Sequence, residues 1–361
     1  MLNAYIDPNS YIHLDNILFG KDSKYNLNNY LSGHIFLKKY CHERGINLNT
    51  IDLWNPAVAT NEDIYVSFDH KCLFRKIYWR LKNRNYPMIN PDRFKKRILF
   101  HFEPPIVMPE ICYGISNLPK IYDKVFFTWK MNPVRDRKGK EKRQGEQISN
   151  GVNNPKINYF YFPQLYSGIL PDYWNETKRG FLTIINANRK AIFRYKELLT
   201  ERVRAIIFFS KTNDIDLYGF DWDKPPLFPY WFHKNTIKKV YKGPVKDKYK
   251  KLSEYNFALV FENCQLPGYI TEKIFDCFLV GTIPIYYGAP DIENYIPKNC
   301  FVDMRDFKNY EELRKFLKSL TEAEIKTYKE NGRRFLESEQ YKPFTKEHFA
   351  KIFVDACINK T

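Results

Sequence analysis

The chain has 361 residues, of which 44% are hydrophobic and 17% aromatic, so two domains with packed cores are feasible and wholesale disorder is not expected. Its 58 basic and 41 acidic residues leave a net charge of +17, which favours anionic partners: nucleotides, acidic glycans, acidic membrane surfaces or nucleic acid. Neither paired zinc-ligand motifs nor a glycine-aromatic RNA signature is present, so we do not expect a nucleic-acid partner.

The first 20 residues contain no basic segment followed by an apolar run, so we expect no signal peptide. No run of about 18 apolar residues predicts a transmembrane helix. The seven cysteines are odd in number and scattered without a CxxC, which is typical of reduced thiols. These features predict a cytoplasmic protein.

In the first half of the chain, short β-rich runs alternate with helical segments. The predicted strands are residues 2–6, 47–53, 63–68, 97–102 and 124–129. Residues 26–44 carry apolar side chains at helical spacing, and Gly45 follows as a stop signal. Residues 132–155 are basic and lack apolar periodicity, which predicts a solvated loop, with contact to an acceptor or a membrane as the alternative. The alternation predicts a parallel sheet covered by helices.

The second half repeats this alternation after a linker at residues 167–179. Its predicted strands are 180–186, 215–219, 237–241, 257–261, 282–286 and 300–304. Its predicted helices are 191–207, 269–281, 310–319, 322–338 and 346–358. The pattern predicts an α/β protein with two doubly wound domains, residues 1–170 and 180–345, and a ligand cleft between them. We expect the C-terminal helix, within residues 346–361, to pack back on the first domain.

The segment from Leu252 to Gly288 carries the chemistry. A buried strand at residues 257–261 leads through a short turn into a helix. Polar residues follow the strand and fill the first turn of the helix: Glu262, Asn263, Thr271, Glu272 and Lys273. A cation at a helix start opposes the helix dipole, so Lys273, expected at an exposed helix start, indicates a nearby anion such as a diphosphate. A structural strand–turn–helix with solvated charges is the alternative.

The run FEN-x₅-YITEK followed by GTIPIYYG resembles the donor-site signature of glycosyltransferase family 10, the α1,3/α1,4-fucosyltransferases. The resemblance is continuous from about Leu252 to Phe307, fainter from Gly180 to Gly219, and weakest before Ile98. It implies the GT-B fold, in which two Rossmann-like domains face each other across a cleft, the first binding the acceptor and the second the donor. It also implies an inverting, metal-independent transfer of L-fucose from GDP-fucose to a GlcNAc-type hydroxyl.

The same resemblance assigns roles on the donor side. Asn263 and Tyr269 would contact sugar and nucleotide, Glu272 would lie near the fucose ring, and Lys273 would bind the diphosphate. Glu262 and Thr271 belong to the same donor-binding motif, whereas the family serine that follows FEN is Cys264 here.

The family also places an arginine against the diphosphate. Arg194 is its best match here, with Arg189 and Arg202 as competitors. A planar guanidinium suits a pair of diphosphate oxygens.

On the acceptor side, the family has a glutamate after a strand, and Glu103 in ILFHFEPPI matches it by position. A strand that runs into Glu-Pro-Pro places this carboxylate at the carboxyl end of the strand, where it could deprotonate the acceptor hydroxyl. The letters depart from the family's GEN-like motif, so His101 and Glu110 remain alternatives.

Two D-x-D runs, Asp214–Asp216 and Asp221–Asp223, have the spacing of a metal motif found in another glycosyltransferase architecture, but no further pattern surrounds them. We expect no catalytic metal and no cofactor. The expected partners are GDP-fucose as donor substrate, an oligosaccharide or lipid-linked glycan such as lipopolysaccharide, and peripherally the acidic inner face of the membrane. The alternatives are a transferase that uses another nucleotide sugar and a non-catalytic basic protein that binds glycan or nucleic acid.

Overall fold

The computed structural model describes residues 1–26, 29–111, 115–130, 154–174, 180–190, 196–226 and 229–359. The chain divides into two compact units, Met1–Leu165 with Pro343–Thr361, and Tyr166–Lys342. No helix in these described segments is long and apolar enough to span a membrane.

The first unit is built on a six-stranded sheet in the order β2-β1-β3-β4-β5-β6, and every pairing is parallel. Its strands are β1 Leu2–Asp7, β2 Ile46–Thr50, β3 Ile64–Phe68, β4 Lys96–His101, β5 Lys124–Phe127 and β6 Ile157–Tyr159. Its helices are α1 Ser32–His42, α2 Leu73–Lys82, α3 Leu118–Ile121 and, at the end of the chain, α11 Lys346–Ile358. All five residues of β3 are buried, as expected for a central parallel strand covered on both faces.

Helix α11 belongs to the core of this unit. Phe353 stacks on Phe100 of β4 with ring centroids 5.5 Å apart, and Phe349 meets the same ring edge-on at 5.3 Å. Phe68 and Phe160 complete this aromatic cluster. Thr345 caps the helix by accepting the backbone N–H of His348.

The second unit contains a five-stranded parallel sheet in the order β11-β10-β9-β7-β8. Its strands are β7 Gly180–Ile185, β8 Ile215–Tyr218, β9 Tyr255–Phe261, β10 Ile283–Tyr287 and β11 Val302–Asp303. Its helices are α4 Pro171–Trp174, α5 Leu199–Lys211, α6 Lys234–Val240, α7 Lys248–Ser253, α8 Glu272–Leu279, α9 Tyr310–Ser319 and α10 Glu322–Leu336. Strand β9 is the central strand of this sheet, so its carboxyl end lies at the centre of the edge formed by the strand ends.

Two predicted elements are wrong. Residues 237–241 were expected as a strand, but Lys234–Val240 is helix α6, because Ile237 and Val240 lie three residues apart and bury one helical face. The helix predicted at 191–207 begins only at Leu199; residues 191–195 lie outside the described part, and Glu197 instead forms a β-bridge with Cys264. Helix α2 and strand β6 were not predicted.

Candidate active site

Glu262 organises the carboxyl end of β9. Its side chain is fully buried, and its carboxylate accepts the backbone N–H of Thr271 at 2.8 Å and the Thr271 hydroxyl at 2.9 Å. It also accepts a hydrogen bond from Lys273 Nζ at 2.9 Å. These bonds fix the first turn of α8. A Cβ atom at Gly288 would lie only 2.6 Å from Glu262 Cγ, which explains the final glycine of the GTIPIYYG run.

Lys273 is half-buried, with 25% of its side chain exposed, so the expectation of an exposed helix start is wrong. The anion beside it is the chain's own Glu262 carboxylate, and Glu272 Oε1 lies 3.6 Å from Nζ. Burial lowers the pKa of Lys273, but these two carboxylates outweigh it, so the net pKa lies above its ordinary value. Lys273 is therefore a fixed positive charge at neutral pH.

Arg202, in the first turn of α5, reaches the same strand end. The residue is buried, with 4% of its surface exposed. Nε and Nη2 donate to the carbonyl of Phe261 at 3.0 and 2.5 Å, and Nη2 donates to Asn263 Oδ1 at 3.0 Å. Because arginine only donates, the oxygen of the Asn263 amide faces Arg202 and its NH₂ group faces away. The hydrogen bonds of Arg202 within the described part of the chain use Nε and Nη2.

The cations at this strand end repel one another. Burial, together with the charge of Arg189, outweighs the opposing effects of Glu262 and Tyr269 and lowers the pKa of Arg202 to about 10. The charge of Arg202 in turn opposes protonation of Lys273. A bound anion would relieve this repulsion, which is the electrostatic condition for a diphosphate site. Arg194, the best match in the sequence, lies outside the described residues.

The other residues predicted to bind the donor lie in or beside the turn into α8. Tyr269 is buried, and the preceding turn needs Gly268, whose φ of 71° is accessible to glycine; its N–H donates to Asp291. Glu272 is the most exposed carboxylate of the group, with 42% of its side chain accessible. Partial desolvation raises its pKa, but the charges of Lys273 and Lys248 outweigh this and lower the pKa to about 2.

Glu103 follows β4 in the first unit and is half-buried. Its segment is held by Asp69, at the end of β3, whose Oδ1 accepts the backbone N–H groups of Phe102 at 2.7 Å and Glu103 at 3.1 Å. Burial raises the pKa of Asp69, but His101 and these N–H groups outweigh it, so the net pKa is lowered. Asp69 therefore stays ionised at neutral pH.

The two alternatives to Glu103 occupy different environments. His101 is fully buried, and its Nδ1 lies 3.2 Å from Asp69 Oδ1. Glu110 is paired with Arg75 at 2.5 Å. Neither arrangement favours proton abstraction from a ligand hydroxyl, because the first side chain is inaccessible and the second already balances a cation.

The carboxylates of the D-x-D runs are largely engaged elsewhere. Asp214 pairs with Arg314 and Lys318, and Asp216 accepts from the Tyr255 hydroxyl at 2.7 Å. Asp221 pairs with Lys224. Among the described residues, no group of three or more His, Cys, Asp or Glu side chains is arranged to hold a metal ion.

The sequence reasoning missed one residue beside the candidate groups of each unit. Asp69 directly follows a predicted parallel strand, and polar residues at that position often face a ligand edge, so a signal was present. Lys248 left no such signal. It pairs with the buried Asp276 of α8, which lies 28 residues further along the chain. Its positive charge also lowers the pKa of Glu272.

The fold of the chain is that of a GT-B glycosyltransferase. A solved α-glucosyltransferase in complex with UDP and a 13-mer DNA aligns over 99% of this chain and 100% of that chain, with a TM-score of 0.52. At 10% identity this likeness concerns the fold alone. Together with the two parallel sheets, it confirms the predicted α/β, GT-B fold class.

The second half of the sequence carries a likeness to a protein family. Residues 192–358 match the model of glycosyltransferase family 10 (fucosyltransferase), C-terminal part. This part of the chain is therefore similar to the C-terminal part of family 10, and the resemblance based on FEN-x₅-YITEK is confirmed.

Individual relatives match over shorter stretches. An α-(1,3)-fucosyltransferase of Helicobacter pylori is 40% identical over 152 residues, which make up 42% of this chain and 27% of that protein. A 4-galactosyl-N-acetylglucosaminide 3-α-L-fucosyltransferase of Mus musculus is 39% identical over 121 residues, 33% of this chain and 29% of that protein. The chain thus spans less than a third of the length of these relatives.

Proposed function

We propose that the chain transfers L-fucose from GDP-fucose, with inversion and without a metal ion, to a GlcNAc-type hydroxyl of a surface glycan such as lipopolysaccharide. The observation that carries the proposal is the pair of cations Arg202 and Lys273 at the end of β9, with Arg189 as a third cation whose charge acts on Arg202. Two of them, Arg202 and Lys273, lie in the segment that matches the fucosyltransferase family model. The two relatives named above, both fucosyltransferases, support the choice of sugar.

On the donor side, the cations would bind the diphosphate and stabilise GDP as it leaves. Arg202 offers a planar guanidinium, and Lys273 offers a point charge at the start of α8. Because Glu262 and Thr271 hold Lys273 in place, its charge is oriented before the donor arrives, which is the arrangement that makes electrostatic stabilisation effective. We therefore assign Glu262 and Thr271 to positioning, and Asn263 and Tyr269 to nucleotide and sugar contacts.

Glu272 and Glu103 would act on the two reacting sugars. The ionised carboxylate of Glu272 would lie beside the fucose ring and stabilise the positive charge that develops as the bond to GDP breaks. The acceptor oxygen would attack C1 of fucose from the opposite side, and its proton would pass to Glu103 as general base. Arg202 and Lys273 would supply the charge for which other transferases use a metal ion.

The proposal assigns the acceptor to the first unit and the donor to the second. It also includes a cytoplasmic location. The net charge of +17 would favour the acidic inner face of the membrane, where a lipid-linked acceptor would lie.

The test is a transfer assay with purified protein and N-acetyllactosamine, comparing GDP-fucose with GDP-mannose, UDP-glucose and UDP-galactose, each with and without EDTA. We expect a fucosylated product from GDP-fucose alone, with most of the rate kept in EDTA. Transfer from another nucleotide sugar, or full dependence on Mn²⁺, would refute the corresponding part of the proposal. DNA binding that weakens with salt, without hydrolysis or transfer of any sugar, would favour a non-catalytic binding protein.

A further inference from the structure

Helix α2 turns its apolar side towards solvent. Large side chains at helical spacing form one exposed stripe, with these accessible fractions: Leu73 62%, Phe74 84%, Ile77 43%, Tyr78 53% and Leu81 78%. Trp79 is the buried residue of the helix, at 7%. A contiguous apolar surface of this kind on a folded protein marks a site of interaction, whereas single exposed apolar residues do not.

The helix is fixed to the first unit without using this stripe. Trp79 packs edge-on against Tyr11 and Tyr86, with ring centroids 6.1 and 5.3 Å apart. Arg75 pairs with Glu110, and Arg80 donates to the carbonyl of Tyr86 at 2.9 Å. The stripe therefore does not contribute to the core, and polar substitutions on it should leave the fold intact.

The charged residues of the helix and of the sequence that flanks it are all basic, and Arg75 among them is paired with Glu110. Five basic residues lie on or just after the helix: Arg75, Lys76, Arg80, Lys82 and Arg84. No acidic residue occurs between Asp69 and Asp92. Lys82 Nζ lies 5.7 Å from the ring of Tyr78, so apolar and cationic groups meet at the edge of the stripe. An apolar face with Phe, Tyr and Leu bordered by Lys and Arg is the composition of helices that lie in the surface of an acidic bilayer.

We propose that α2 anchors the protein to a membrane surface: its apolar stripe enters the acyl boundary of an acidic bilayer, and the flanking Lys and Arg side chains bind anionic head groups. The helix leaves the same end of the sheet at which Asp69 holds the segment of Glu103. The anchor would therefore keep that end of the first unit at the lipid surface. The inference depends on the surface of α2 and not on the transferase activity.

The test is flotation of the full chain with two kinds of vesicle, phosphatidylcholine alone and an equal mixture of phosphatidylcholine and phosphatidylglycerol. We expect binding to the mixed vesicles, weakened by salt. The double variant Phe74→Ser/Leu81→Ser keeps the net charge, so it separates insertion of the stripe from general attraction of a basic protein. It should reduce binding to the mixed vesicles about a hundredfold, because two large side chains no longer enter the bilayer.

Val58→Ser is the matched control, because Val58 is 74% exposed, lies in the same unit and is outside α2. It should bind like the wild type, and all three proteins should melt at the same temperature. Undiminished binding by the double variant would overturn the proposal, since charge alone would then explain the binding. Absence of binding by the wild type would also overturn the proposal. So would light scattering that shows a dimer for the wild type and a monomer for the double variant, because the stripe would then be an interface between two copies.

Discussion

The most direct test of the donor site is the substitution Glu262→Gln. Glu262 is fully buried and accepts hydrogen bonds from the Thr271 backbone, the Thr271 hydroxyl and Lys273 Nζ. Glutamine has nearly the same shape, but it has one acceptor oxygen and replaces the other by a donor. The substitution therefore turns an NH₂ group towards Thr271 or Lys273 and leaves Lys273 without its closest counter-charge.

The expected loss follows from burial. Removing one partner of a fully buried ion pair costs about 3–5 kcal/mol, and a single hydrogen bond to a charged group contributes about 1.5–3 kcal/mol. Because Lys273 is 25% exposed, water compensates in part, and we expect a loss of about 2–3 kcal/mol in the free energy of unfolding. For a unit of about 150–250 residues, this lowers the melting temperature by about 4–12 °C.

Glu272→Gln is the matched control, since it makes the same chemical change beside the same lysine. Glu272 is 42% exposed and lies 3.6 Å from Lys273 Nζ, so its loss should cost at most about 1 kcal/mol. Thermal unfolding followed by circular dichroism at pH 7 compares the two variants. If Glu262→Gln melts at the same temperature as Glu272→Gln, the buried carboxylate does not hold the start of α8 and the assignment of Glu262 to positioning is wrong.

Four further predictions concern ligand binding, catalysis and pH. GDP at a hundredfold excess over its Kd should stabilise the wild type by about 2.7 kcal/mol, whereas guanosine at the same concentration should stabilise it far less. Equal melting temperatures with GDP and with guanosine would exclude the three cations as the diphosphate site. Arg189→Gln should weaken GDP binding in calorimetry about tenfold, since a hydrogen bond to a charged group is lost, whereas the neighbouring exposed Lys190→Gln should change it little. Glu103→Gln should lower turnover by about 10²–10⁴-fold with GDP affinity unchanged, and retention of more than about a tenth of the rate would eliminate Glu103 as the base. The pKa of Glu272 is about 2 in the folded chain against an ordinary 4.5, so its stabilising contribution is complete above pH 4.5 and is lost as the pH falls towards 2. Over this range the melting temperature of Glu272→Gln should therefore fall less steeply than that of the wild type. Identical slopes for the two proteins would contradict this prediction.

Local pattern sufficed for elements whose own residues determine them. Residues 257–261 form a continuous apolar run, which favours a buried parallel strand, and β9 is found at Tyr255–Phe261. Helix 310–319 was predicted to the residue, because its apolar spacing and the Asn309 cap are both local signals. At residues 237–241 the β-branched side chains suggested a strand, but packing against the core selected the helical alternative, in which Ile237 and Val240 are buried together.

The choice among the three arginines proposed for the diphosphate shows the limit of motif spacing. Arg189, Arg194 and Arg202 were all compatible with the sequence, because the register of this helix relative to the family was open. The structure begins α5 at Leu199 and thereby places Arg202 in its first turn, with the guanidinium on Phe261 and Asn263. The contact spans about 60 residues of chain, and no local signal encodes it.

The sequence by itself determined the resemblance to family 10, the α/β class and the position of the motif, because these depend on the order and spacing of residues along one segment. Only the tertiary structure decided what each charge does. Glu262 and Glu272 lie in one short motif, but their surroundings differ. The end of β9 and the start of α8 bury Glu262, whereas Glu272 is partly exposed to solvent. Likewise, the apolar spacing of α2 is typical of a helix that faces a core, and only its packing through Trp79 turns Phe74 and Leu81 outward. The periodicity of apolar residues predicts which side of a helix is apolar, but the tertiary structure determines whether that side packs against the core or faces solvent.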